Sequence, residues 1–98
     1  MLASDQIDQI VHEVAKANLT PTNVDRVLSE SAVDSQGNDA LRITIVIPPD
    51  AVARIKGAAV VDTLVQIQNR LRDAGEERFP IVEYATQEEL EDSGDSES

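Results

Sequence analysis

Hydrophobic and polar positions follow two rhythms along this chain. Ile7, Ile10, Val11 and Val14 recur at helical spacing, and Ser4 with Asp5 just ahead of them suits a helix start. This amphipathic helix is predicted to run to about Asn18, where Leu19-Thr20-Pro21-Thr22-Asn23 turns the chain. From Val24 to Val33 the pattern is weaker and strand-like, with Val27, Ser29, Ser31 and Val33 alternating with Arg26, Leu28, Glu30 and Ala32. The polar run 34–39 has the composition of a hairpin connection. The clearest strand follows. Leu41, Ile43, Ile45 and Ile47 occupy one face, Arg42, Thr44 and Val46 the other, and Pro48-Pro49 ends it.

Beyond Asp50 the spacing predicts a short helical turn over 50–55, a kink at Lys56-Gly57 and a longer helix over 58–74. Val60, Leu64, Ile67 and Leu71 form the apolar stripe of that helix. One unbroken helix would place Ile55 on the polar side, and an interior glycine would cost about 1 kcal/mol. Gly75 suits the position just past the helix end, with Arg70 and Arg72 in the last turns. Residues 79–85 read as a third strand, at an edge because Pro80 has no N–H for a ladder. Thr86 with Glu89 forms a capping box for a last short turn that Leu90 can dock. From Glu91 the chain contains only Glu, Asp, Ser and Gly, a composition that predicts disorder. The expected fold class is α+β: a two-layer sandwich in the order α-β-β-α-α-β, with a three-stranded sheet and its helices on one face. One domain over 1–90 and an acidic tail over 91–98 complete the expectation.

Composition narrows the function classes. The 98 residues contain no cysteine, which removes disulfides and thiolate metal sites and favours a cytoplasmic setting. No apolar run reaches the roughly 18 residues of a membrane span. The formal net charge is −11, which disfavours nucleic acid and anionic membranes as partners. That charge is uneven. Residues 1–41 hold seven acids and two bases, residues 42–78 five acids and six bases, and residues 79–98 seven acids and no base. The middle of the chain is a weakly basic island.

Candidate chemistry is sparse. His12 is the one histidine, and position 16 is Lys rather than a second ligand of a zinc-protease motif. The 34–39 loop resembles a calcium loop in composition, but Ile45 stands where the twelfth-position glutamate would be needed. Asp5 and Asp8 share a helix face near a helix N-terminus, where acids favour the dipole. No glycine lies in a phosphate-cradling pattern. No catalytic residue, metal site or cofactor is assigned from these patterns.

Arg54-Ile55-Lys56-Gly57 lies between the two predicted crossover helices. In its order of elements the chain is similar to the type II KH fold of ribosome-associated proteins, whose Gly-x-x-Gly loop at this place clamps nucleic-acid backbone. Of that motif only the final glycine is present. The resemblance implies Arg54, Lys56 and Gly57 as an anion or nucleic-acid contact. A second feature points to protein instead. The strands carry apolar residues on both faces, with Val46 opposite the isoleucine stripe and Phe79, Ile81 and Val82 together, and Val61 and Val65 lie off the helix stripe. The leading expectation is therefore a small non-enzymatic protein-interaction or accessory module, contacting a protein partner or its own copies through Val46, Phe79 and Ile81. A degenerate KH-like RNA or ribosome contact is the alternative.

Overall fold

The computed structural model describes residues 2–95, and the side chains of residues 2–91. The elements are α1 (Ser4–Leu19), β1 (Arg26–Val33), β2 (Asp39–Val46), α2 (Gly57–Asp73), β3 (Phe79–Ala85) and α3 (Gln87–Asp95). Short 3-10 turns at Pro21–Asn23 and Pro49–Ala51 precede β1 and α2. The expected α+β order and three-stranded sheet are present, with the first crossover turn formed by Pro49–Ala51.

In α1, Ala3 rather than Ser4 takes the cap position, because the longer Gln6 side chain reaches back to accept the Ala3 N–H at 3.1 Å. Ile7, Val11, Val14, Ala15 and Leu19 are its buried side. Thr20, at a φ of 73°, turns the chain out of the helix, and Pro21 prevents its continuation.

β1 and β2 form the antiparallel hairpin, pairing Arg26 with Val46 and Val33 with Asp39. The Asp34 carboxylate closes the turn by accepting the N–H groups of Gln36 and Asn38, each at 2.9 Å. Gly37 supplies the positive φ of 85° that this turn needs. β3 pairs parallel with β2, from Ala40 opposite Phe79 to Val46 opposite Ala85, so β2 is the central strand. Leu41, Ile43 and Ile45 of β2 join the buried side of α1 and Ile67 and Leu71 of α2 in one core cluster.

The chain breaks at Lys56-Gly57 as expected, and α2 starts at Gly57, because the preceding segment turns on the Ala51 carbonyl, which accepts the N–H groups of Arg54 and Ile55. α2 departs from expectation in its buried side. Its buried stripe is Thr63, Ile67 and Leu71, leaving Val60 and Leu64 half-buried. Thr63 enters the core because its hydroxyl donates to the Ala59 carbonyl at 2.7 Å.

α3 begins with the expected capping box. Thr86 N–H donates to Glu89 Oε1 at 2.8 Å, and Glu89 N–H donates to Thr86 Oγ1 at 3.2 Å. The chain then crosses the sheet face opposite the core. Arg26 Nη2 donates to Gln87 Oε1 at 2.7 Å, and Leu90 shares a cleft with Leu28, Thr44 and Glu83. The expectation that the helices lie on one face does not extend to α3. Nor does Val46 offer a contact to a partner: it is 0% exposed on the face that α3 crosses. Of the segment 91–98 predicted to be disordered, 91–95 continue α3 and 96–98 lie outside the described residues.

A buried ion pair fastens the start of the chain to the entry of β3. The Glu76 side chain is 0% exposed, and its carboxylate accepts the Leu2 N–H at 2.9 Å, the Arg78 N–H at 3.0 Å and Arg78 Nε at 2.8 Å. Arg78 Nη1 in turn donates to Ser31 Oγ of β1 at 3.2 Å. The Arg78 side-chain bonds, helped by the two backbone donors and opposed by burial, hold the Glu76 carboxyl down at about 2. A carboxyl lowered in the folded state contributes stability above its unfolded pKa and loses it as pH falls toward the folded value. Stability in urea should therefore fall as pH drops from 4.5 to about 2. Glu76→Gln should cost about 3 kcal/mol at neutral pH, since it leaves a buried guanidinium unpaired, and should flatten that acid limb. An unchanged acid limb in the variant would assign the pH dependence to other groups.

Candidate functional site

The surface most open to contact lies along β3 and the adjoining flank of α2. β3 is the last strand of the sheet. The Ala85 carbonyl accepts the Ile47 N–H at 2.9 Å, so the polar groups of Ala85 face the β2 side. Backbone alternation turns residues 79, 81 and 83 the same way and aims the polar groups of Pro80, Val82 and Tyr84 at the free edge. Pro80 sits where a missing N–H forfeits no ladder bond, which is the position an edge strand allows it. The edge therefore presents the N–H groups of Val82 and Tyr84 and the carbonyls of Pro80, Val82 and Tyr84.

α2 runs beside this edge in the opposite direction. Tyr84 Oη donates to the Val60 carbonyl at 3.5 Å near one end, and Gln68 and Arg72 share a cleft with Phe79 and Pro80 near the other. The far flank of α2 is tied to α1 through Gln66 with Asn18 at 3.0 Å and Arg70 with Glu13 at 2.9 Å. Helical spacing then directs Val61, Leu64, Gln68 and Arg72 toward the β3 side, with Val65 at the solvent-facing margin of that flank. Val61 is 56% exposed and Val65 46%. Phe79, 61% exposed, and Ile81 extend the apolar strip onto the outer face of the strand. Tyr84 is half-buried beneath α2, and that burial pushes its hydroxyl pKa up against the opposing bond to Thr63. The edge position of β3 agrees with the expectation drawn from Pro80, and the same proline also fixes which alternate residues face outward.

The residues implied by the KH resemblance are adjacent but differently employed. Arg54 Nη1 donates to Asp50 at 2.9 Å, and its Nη2 and Nε donate to Asn23 Oδ1 at 2.9 and 3.3 Å. The Arg54 bond draws the Asp50 carboxyl below its ordinary value. Asn23 passes the link on to the Leu19 carbonyl at 2.8 Å, so Arg54 clamps the exit of α1 to the crossover turn. Lys56 caps α2 and is exposed. A Cβ built on Gly57 meets nothing within 4 Å, so neither crowding nor a positive φ demands glycine there.

His12 is half-buried in a shallow cleft with Asp5, Asp8 and Asp25, and Asp8 accepts the Ser29 hydroxyl at 2.6 Å. Among the described residues no three His, Asp or Glu side chains are grouped to hold a metal ion, and no helix is long and apolar enough to cross a membrane. The chain matches no protein-family model, no curated protein and no solved structure.

These placements make Arg54 and Gly57 structural test positions. Arg54→Ala should lower stability by about 1–2 kcal/mol, because the buried Asn23 oxygen loses its donors. Gly57→Ala should raise it by about 0.5 kcal/mol by restricting the unfolded chain. Urea denaturation of both variants reads the two signs, and a stable Arg54→Ala would remove the clamp from the account.

Proposed function

We propose that this chain is a small non-enzymatic protein-interaction module that acts through the flank formed by β3 and α2. A cytoplasmic setting belongs to the same reading, since a small domain without cysteine suits a reducing compartment. One observation carries the proposal: exposed valines one turn apart on α2 stand beside an edge strand whose own apolar residues and backbone groups face outward. Apolar side chains next to free ladder groups make a docking surface, with the backbone supplying hydrogen bonds and the side chains selectivity. RNA contact through Arg54 and Lys56 gains less support, because Arg54 is engaged by Asp50 and Asn23 and the net charge of −11 opposes a polyanion.

The test is a pull-down from native lysate. The baits are the full chain, the Val61→Glu/Val65→Glu variant and a version ending at Leu90. A partner held by the first and third and lost by at least about tenfold on the second is expected. Equal retention by the double variant, or recovery of nothing, including a second copy of the chain, would contradict the proposal.

A further inference from the structure

We infer that the occupant of the β3–α2 flank is a second copy of this chain, joined by a two-fold axis that pairs the two β3 strands antiparallel into one continuous sheet. This rests on the reading of that flank as an interaction surface and specifies its partner.

The edge itself selects the register. Antiparallel strands exchange hydrogen bonds only between residues whose polar groups face each other, so Pro80, Val82 and Tyr84 must meet the same three positions of the other copy. With the axis at Val82, each Val82 exchanges both bonds with its counterpart, and each Tyr84 N–H reaches the Pro80 carbonyl of the second copy. Moving the axis to Glu83 would set like charges directly opposite each other, which destabilises a strand pair. Moving it to Ile81 would set Val82 opposite Pro80, which has no N–H to return the bond, and Tyr84 opposite Arg78, whose N–H is already held by Glu76, so fewer bonds form than with the axis at Val82. The Val82 register places Glu83 beside Ile81 and Phe79 beside Ala85, with no like charges opposed. Its omission, once for each copy, is the Tyr84 carbonyl facing Pro80, at the two ends of the pairing where water reaches it.

The helix flank is equally self-compatible. Val61, Leu64, Val65 and Gln68 carry no charge and Arg72 beside them is basic, although the chain as a whole is at −11. Two copies can therefore meet along α2 without bringing carboxylates together. Because α2 runs beside β3, the same two-fold axis lays the two α2 helices antiparallel over the joined strands and covers the exposed valines. A lone peptide strand would satisfy the edge and leave Val61 and Val65 in water. A second copy answers both, and an isologous contact needs only this one patch.

The chain has no cysteine, so Val82→Cys introduces a single thiol. A hydrogen-bonded antiparallel pair sets its Cα atoms about 5.5 Å apart, within disulfide reach. Light scattering behind size exclusion should give twice the chain mass for the full chain. Under mild oxidant, Val82→Cys should form a covalent dimer at least about tenfold faster than Glu30→Cys, which lies on the opposite edge strand. Val65→Glu should weaken dimerisation by at least about tenfold with an unchanged circular dichroism spectrum, and mixing it with Val65→Lys should restore the dimer. A dimer that tolerates Val65→Glu and does not cross-link at Val82 would overturn the inference by placing the contact elsewhere. A monomeric full chain would also overturn it. If that monomer still captured a lysate partner that Val61→Glu/Val65→Glu loses, the module reading would survive without the self-contact.

Discussion

β2 has a neighbour on each side and cover on each face. Antiparallel bonds tie it to β1 and parallel bonds to β3, while Leu41, Ile43 and Ile45 enter the core and Thr44 and Val46 lie buried on the side that α3 crosses. Fully burying an isoleucine contributes about 1.5–3 kcal/mol, so this strand alone supplies a large share of the apolar stabilisation. A sheet built on one central strand necessarily has two edges, β1 and β3. The surface left open by the fold follows from that constraint. Both edges keep outward backbone groups, and what distinguishes β3 is the exposed Phe79 and Ile81 on the strand with the exposed Val61 and Val65 on the neighbouring helix.

Charge follows the same division. The acids are concentrated toward the two ends of the sequence, and the α2 flank beside β3 consists of the uncharged Val61, Leu64, Val65 and Gln68 with the basic Arg72. Where charge is buried, it is matched: Glu76 and Arg78 satisfy each other and reach Leu2 and Ser31, joining the start of the chain, β1 and the approach to β3. The position of the β3 edge thus depends on a buried pair at its entry, and those α2 positions bring no carboxylate to a surface that approaches the edge.

The elements that were legible in the sequence are those whose signals are local. The Leu41-Ile43-Ile45-Ile47 alternation, the Asp34 turn, the Pro48-Pro49 stop and the Thr86–Glu89 box each act within a few residues. Features set by distant partners were not legible. Nothing near Glu76 announces a bond to Leu2, 74 positions away. Thr63 reads as polar until its hydroxyl finds the Ala59 carbonyl, which shifts the buried stripe of α2. Val46 looked available because α3 returns over it from the far end of the sequence, and Arg54 looked free because Asn23 lies 31 positions before it. Phe79, Ile81, Val61 and Val65 were visible as surplus apolar residues. Their grouping on one flank needed the antiparallel run of α2 along β3.

Amide hydrogen exchange at Val82 and Tyr84 tests the central claim most directly. Their N–H groups point away from β2, and among the described residues of one copy no acceptor is paired with them. If the β3–α2 flank is occupied by a second copy, both amides exchange slowly at high protein concentration and quickly on dilution or in Val65→Glu, while Ile43 and Ile45 stay protected throughout. Fast exchange of Val82 and Tyr84 at every concentration, beside slow exchange in β2, would contradict the account.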